Sequence, residues 1–304
     1  MQRALILGGK TGLLGQALVY TLQRETTWEI ACLGRQDGPL FDEDFLKRHI
    51  DQGKYDVIFN TVAFTQVDDA EDNAEEAHRL NCLFPEMLAG CMKPQKTHLI
   101  QYSTDFVYGS LSHAKEPRSP WRESDMPTPE SIYGKTKRAC EETLLAIYPN
   151  NTSILRTAWL FGPWKKNFVA TILNAAQNKK ELTVVADQIG SPTYTLDLAK
   201  WSIAIASNRA TGIWHCVNTG SASWYELAKK SVELAQIDCL VKPIKSDEWP
   251  QKAKRPPYSV LDSTKLAHFL SKPIRKYDDA LSDYILSFIK NKRNVCNTVA
   301  KQGD

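Results

Sequence analysis

The sequence predicts an α/β fold: a doubly wound parallel sheet carrying a smaller C-terminal lobe. Three observations lead there. Short apolar runs alternate with helical patterns through the first half of the chain, which is how a parallel sheet covered on both faces is written. A glycine-rich turn, Gly9-Lys10-Thr11-Gly12-Leu13-Leu14-Gly15, follows the first apolar run at once and opens an amphipathic stretch. Beyond about residue 160 the elements become shorter and less regular, with a Pro-rich stretch at 249–257, as in an added lobe.

The elements follow in order. Residues 4–7 read as a buried strand, 15–23 as a helix and 29–33 as a second strand. A polar-apolar helix at 42–52 leads to a strand at 57–59. A long helical pattern at 69–91 ends near Lys93-Pro94, and a strand follows at 97–102. Helix 131–147 and strand 152–156 close the first half. The second half gives helices at 167–178, 196–206, 224–235 and 278–290, with strands at 182–185 and 212–217. The expected organisation is a dinucleotide-binding Rossmann domain at 1–160, a mainly substrate-binding lobe at 161–290 interwoven with it, and a loose polar tail at 291–304.

Composition excludes several functions. The chain has 304 residues, 42% of them hydrophobic and 24% charged, which suits a folded globular protein. Its net charge of +3 is spread along the chain, and the one basic cluster, Lys252-Ala253-Lys254-Arg255, is short. That is no face for nucleic acid. Seven cysteines, with no C-x-x-C pair, suggest neither a disulfide framework nor zinc, so a reducing, cytoplasmic setting is expected. The first residues read as a strand, so no signal peptide is expected, and no apolar run is long enough to span a bilayer.

The glycine turn reads as a phosphate cradle. One glycine permits a tight turn, one lets the backbone approach a pyrophosphate, and one lets helix pack on strand. The helix that follows offers free N–H groups to the phosphates. An NAD site would place a carboxylate at the end of the second strand; here that strand ends Leu33-Gly34-Arg35. Arg35 suits a 2′-phosphate, favouring NADPH over NADH; the other reading is a surface arginine. Asp42, with Phe41 before it, is expected near the adenine. Asn60-Thr61-Val62-Ala63, after the third strand, is the next expected cofactor turn, because ligands gather at the carboxyl ends of parallel strands.

The reacting groups come next. Tyr133 and Lys137 lie four apart on a predicted helix and share a face. A nearby ammonium and nicotinamide charge lower a phenol's pKa, and such a tyrosine exchanges protons near neutrality. Tyr102-Ser103-Thr104-Asp105 ends a strand; Thr104 would hydrogen-bond a substrate oxygen and Asp105 would assist with proton supply or substrate hydroxyls. A cradle, a hydroxyl, a phenol and an ammonium are the parts that move a hydride and a proton.

Taken in order, these motifs resemble the extended short-chain dehydrogenase/reductases, and within them the dTDP-4-dehydrorhamnose reductases, from residue 4 to about 290. Further marks are Thr65-Gln66-Val67-Asp68, Pro120-Trp121-Arg122-Glu123, Arg156-Thr157-Ala158-Trp159, Asn167-Phe168, Asp187-Gln188-Ile189-Gly190-Ser191-Pro192-Thr193 and Arg255-Pro256. The resemblance implies NAD(P)H-dependent reduction of the 4-keto group of a dTDP-linked 6-deoxyhexulose. Tyr133 would be the proton donor, Lys137 the ribose and phenol partner, and Thr104 the carbonyl polariser. Tyr102 would join the cofactor contacts. Val67, Asp68, Asp105, Phe106 and Trp159 would line the sugar pocket, with Asn167 and Arg255 on the diphosphate side. Read from its residue type alone, Trp159 suits a core.

Some members of the family bind magnesium through carboxylates at places that are Ala17 and Leu196 here. Neither is a hard oxygen donor, so no metal is expected, and the chain is read as a monomer or homodimer acting on a small-molecule nucleotide sugar. The remaining alternatives are a different nucleotide-linked 4-keto-6-deoxyhexose, or a non-catalytic NADP-binding regulatory subunit.

Overall fold

The computed structural model describes residues 1–92, 96–109 and 119–300, with the backbone alone at 288 and 290–300. Lys93-Pro94, where the long helix was expected to end, lies outside the described residues. In the first half the elements are β1 (Arg3–Leu7), α1 (Leu13–Glu25), β2 (Glu29–Leu33), α2 (Glu43–Gly53) and β3 (Val57–Asn60). They continue with α3 (Val67–Asp72), α4 (Ala74–His78), α5 (Phe84–Met92), β4 (His98–Thr104), α6 (Ile132–Ile147) and β5 (Thr152–Thr157). The second half comprises β6 (Leu160–Phe161), α7 (Phe168–Ala176), β7 (Glu181–Val185), β8 (Ile189–Gly190), β9 (Thr193–Tyr194) and α8 (Thr195–Ser207). It closes with β10 (Gly212–His215), β11 (Ala222–Ser223), α9 (Trp224–Leu234), β12 (Leu240–Ile244), α10 (Thr264–Leu270) and α11 (Tyr277–Ala300).

Six parallel strands form the main sheet, in the order β10-β5-β4-β3-β1-β2. The order reverses between β1 and β3, and that switch point opens a crevice at the carboxyl ends of the strands. The strands are apolar because both faces are covered. On one face Leu14, Ala17, Leu18 and Leu22 of α1 pack with Leu198, Ala199 and Trp201 of α8. On the other, Leu46 and Ile50 of α2, Leu88 of α5 and Leu144 of α6 close the core. β10 comes from the second half of the sequence, so the lobes are interwoven in the chain. In the smaller lobe α7 and α9 pack on β7 and β12, which pair in parallel, and α11 packs on Phe161, Tyr194 and the same two helices.

Two elements differ from the sequence pattern. The helix expected over 69–91 is broken at Asn73 (φ −127°, ψ 48°) and opens into a π turn at Arg79–Leu83. Pro85 follows that turn and has no N–H for the Asn81 carbonyl, which the wider turn accommodates. The last helix runs to Ala300, past the expected stop at Lys290, because no glycine or proline interrupts the sequence there.

Candidate active site

The glycine turn delivers what a pyrophosphate needs. Gly8 sits at φ +80°, and a Cβ on Gly15 would lie 2.5 Å from the Gly8 carbonyl oxygen, so loop and helix close on each other only without side chains. α1 starts behind Gly12 with no side-chain cap and no acidic residue in its first turn, leaving the first N–H groups of Leu13 and Leu14 for an anion. The residues fit a dinucleotide. Thr11 donates its backbone N–H to the Gly8 carbonyl, closing the turn. Gly8 is a glycine of this turn that the motif reading omitted, although it stands directly before Gly9.

Around the expected adenosine end several side chains are engaged within the protein. Asp37, beyond Arg35, folds back so that its carboxylate accepts the Gly34 N–H at 2.8 Å and the Lys10 ammonium. Lys10 and that N–H hold Asp37 below the usual carboxylate range. A carboxylate is therefore present near the end of β2, reached through a turn, and Arg35 stands exposed beside it. Asp42 caps α2, accepting the Phe45 N–H, and Phe41 packs 5.2 Å from Phe84 beneath the Arg79 guanidinium. After β3, Asn60 is pinned by Gln101, and Thr61 donates to the Leu7 carbonyl; Val62 and Ala63 continue half-buried along the crevice.

The reacting residues meet where β4 ends and α6 begins. Ser131 caps α6 by accepting the Gly134 N–H at 3.1 Å, and Glu71 of α3 accepts the Ile132 N–H at 2.8 Å. A Cβ on Gly134 would lie 2.2 Å from the Phe106 carbonyl oxygen, so glycine lets the helix start press on the loop after β4. Tyr133 lies edge-on to Phe106 and hydrogen-bonds Thr104. Thr104 donates to Asp105 at 3.1 Å, and Ser259 donates to the same carboxylate at 2.5 Å. Lys137 is buried and donates to the Tyr102 carbonyl at 2.9 Å. Asn81, in the π turn, holds the Phe64 backbone and the Thr136 hydroxyl of α6. It was missed as a site residue; its signal was an amide inside the apolar run Leu80–Leu83.

Burial pushes the Tyr133 phenol up to about 12, with the Thr104 hydrogen bond pulling it down and Asp105 raising it. Burial also keeps Lys137 below its ordinary pKa, with Cys140 and Glu141 acting in the opposite sense. The Tyr102 side chain points away from the crevice and donates to Ser202 at 2.9 Å, so only its carbonyl serves the site. Asn167 is consumed as the cap of α7: its amide donates to Gly162, Lys165 and Tyr284 while its oxygen accepts the Ala170 N–H. Asp105 is pushed up to about 6 by burial, against its bonds to Ser259 and Thr104.

A cavity of about 350 Å³ opens in the smaller lobe, walled by Phe168, Ile172, Val184, Trp224, Trp249 and Arg255. Trp159, in the left-handed region at φ +46°, stacks on Trp224 at 3.5 Å, making an aromatic wall continuous with Phe168. Arg255 grips Asp68 with both prongs, at 2.9 and 2.6 Å, and Asp68 also accepts the N–H groups of Lys252 and Ala253. Arg255 holds the Asp68 carboxyl below its usual range. The segment from Arg255 to Ser259 thus runs from the cavity to Asp105, beside Thr104. Val67, the first residue of α3, stands half-buried beside Asp68. The structure brings together Thr104, Asp105, Phe106, Tyr133 and Lys137, and sets Asp68 and Arg255 against each other across the two lobes.

No helix among the described residues is long and apolar enough to cross a membrane. Nor, among those residues, do three His, Cys, Asp or Glu side chains gather to hold a metal ion.

Residues 2–289 match the family described as RmlD substrate binding domain. The chain is 35% identical over 292 residues to dTDP-4-dehydrorhamnose reductase of Mycolicibacterium smegmatis, covering 95% of this chain and 87% of that one. It is 32% identical over 278 residues to dTDP-4-keto-6-deoxy-D-glucose reductase of Streptomyces niveus, covering 91% and 94%. The solved dTDP-4-dehydrorhamnose reductase of Bacillus anthracis in complex with NADP superposes with a TM-score of 0.87 at 29% identity, covering 94% of this chain and 100% of that one.

Proposed function

Because the chain belongs to the RmlD substrate binding domain family, we propose that it reduces the 4-keto group of dTDP-6-deoxy-L-lyxo-4-hexulose to dTDP-L-rhamnose with NADPH. The observation that carries this reading is the convergence of Thr104, Tyr133 and Lys137 at the carboxyl end of β4, at the edge of a crevice that begins in a phosphate cradle.

NADPH supplies the hydride when bound; the protein supplies the proton and the geometry. The turn from Gly8 to Gly15 and the start of α1 hold the pyrophosphate. Lys10 is engaged by Asp37, so Arg35, exposed beside that pair, is the cation that would meet a 2′-phosphate. Tyr133 gives its phenolic proton to the carbonyl oxygen as that oxygen gains charge. A phenol near 12 is fully protonated at neutral pH, which is the form a reduction consumes. Thr104 hydrogen-bonds the same oxygen. The Lys137 ammonium, held on the Tyr102 carbonyl, stabilises the phenolate left after transfer until solvent reprotonates it. Val67, Asp105, Phe106 and Trp159 border the sugar, and Arg255, paired with Asp68, reaches the nucleotide side. The cavity beside Trp224 has the aromatic lining and size for a nucleobase.

The test is oxidation of NADPH and NADH at 340 nm with the keto sugar made in situ from dTDP-glucose. Turnover to dTDP-rhamnose supports the reading, and the two rates give the cofactor. NADPH binding without turnover would shift the weight to a different 4-keto-6-deoxyhexose, the second reading that the Streptomyces niveus relative favours.

A further inference from the structure

β5 ends on Thr157. This side chain is 6% exposed, and its hydroxyl has no hydrogen-bond partner among the described residues. The hydroxyls at the end of β4 are all engaged: Thr104 with Asp105, Ser103 with Glu141, and Tyr102 with Ser202. Leaving a buried hydroxyl unpaired costs about 1–3 kcal/mol, and valine would fill the same volume without that cost. The parallel register pairs Thr157 with Thr104 on β4. Register partners present their side chains to one face of a sheet, so the two hydroxyls stand side by side at the same strand end.

Strand order says which ligand group lies there. A dinucleotide held at the turn after β1 crosses the carboxyl ends of β3 and then β4. β5 is the next strand, and it borders the end of that path. We propose that Thr157 contacts the cofactor: its hydroxyl hydrogen-bonds the carboxamide of the nicotinamide and fixes the face of the ring turned toward Thr104 and Tyr133. A carboxamide has both a donor and an acceptor, so it satisfies a hydroxyl in either orientation. Asp105 and Ser259, bonded to each other beside Thr104, stand on the side proposed for the sugar. This inference rests on the reading that the chain binds NADP(H).

The test uses the whole protein without sugar substrate. Wild type, Thr157→Val and Thr157→Ser are titrated with NADPH by calorimetry, and with 2′-phospho-ADP-ribose, which lacks the nicotinamide. Thr157→Val should bind NADPH about tenfold more weakly, as one buried hydrogen bond is worth about 1.4 kcal/mol, while Thr157→Ser stays within about twofold. All three should bind 2′-phospho-ADP-ribose alike. The ligand-free Thr157→Val protein should melt no lower than wild type, since the hydroxyl serves nothing in the fold. Unchanged NADPH affinity in Thr157→Val overturns the proposal, and so does a lowered melting temperature or a loss seen equally with 2′-phospho-ADP-ribose. If wild type fails to bind NADPH, the proposed function falls with it; if wild type binds and Thr157→Val matches it, only this inference falls.

Discussion

Ser103 and Thr104 are neighbours on β4, yet the clusters they enter are built by opposite rules. Ser103 donates to Glu141 at 2.6 Å, and Glu141 is gripped by the Arg156 guanidinium at 2.8 and 2.6 Å. Arg156 also donates to Tyr108, which reaches His215, and Arg138 adds a third cation-side contact to Glu141. Glu141 and Arg156 are 1% exposed or less, and each charge is answered. Thr104 enters a cluster in which Asp105 is pushed up to about 6, Tyr133 to about 12 and Lys137 down, all by burial in the first place. One cluster pairs its two buried charges and fixes the sheet to α6, with the His215 Nδ1 left without a partner among the described residues. The other keeps protons and charges poorly accommodated, which is where proton transfer is built.

The largest expected effect breaks the second cluster. Tyr133→Phe removes the proton donor and should lower turnover by about 10²–10⁴-fold, with NADPH affinity and melting temperature close to wild type. Steady-state rates with a binding titration check it; unchanged turnover would remove the mechanism. Next comes the first cluster. Glu141→Gln leaves Arg156 buried and unpaired and should cost about 3–5 kcal/mol of stability in urea unfolding. Glu141→Gln combined with Arg156→Met should recover most of that loss. A cost below about 1 kcal/mol for Glu141→Gln would mean that the two clusters do not differ as argued.

The contrast also explains what could be read from the sequence. The turn, the strand ends and the Tyr133–Lys137 pair were legible because each is local: its meaning lies in spacing along a strand or helix. The pairing of Asp68 with Arg255 and of Asp105 with Ser259 joins positions far apart in the chain, and no periodicity reports it. The burial that raises the Tyr133 phenol comes from the surrounding fold in the same way, and spacing along the helix does not report it. Asn167 and Asp42 also act as helix caps, a role their residue types fill readily and that the motif reading did not assign.

A smaller effect sharpens the comparison through pH. Asp105 has its folded pKa raised from 3.8 to about 6, so the native state binds its proton more tightly than the unfolded chain does. The stability this gives is complete below pH 3.8 and is lost as pH rises through about 6. The rise corresponds to about 3 kcal/mol. Asp105→Asn cannot titrate and keeps an acceptor for Ser259. Its stability relative to wild type should therefore improve between pH 4 and 7 by up to about 3 kcal/mol in urea unfolding. A difference that does not change with pH would show that the carboxyl is not held in the unfavourable state described.

The smallest effect lies at the outer end of the site, where the pair is neither saturated nor starved. Arg255 and Asp68 keep 21% and 37% of their side chains exposed, so solvent already screens them and their joining adds little to stability. Their geometry matters more than their charge, because a guanidinium can hold Asp68 with one edge and present the rest to the cavity wall it lines. Lysine keeps the charge and loses the fork. Arg255→Lys should therefore raise KM for the nucleotide sugar by about fivefold, about 1 kcal/mol, with kcat and melting temperature nearly unchanged. A fall in kcat with KM unchanged would place Arg255 with the reacting cluster instead, and the division between a binding lobe and a proton-transfer floor would have to move inward to Ser259 and Asp105.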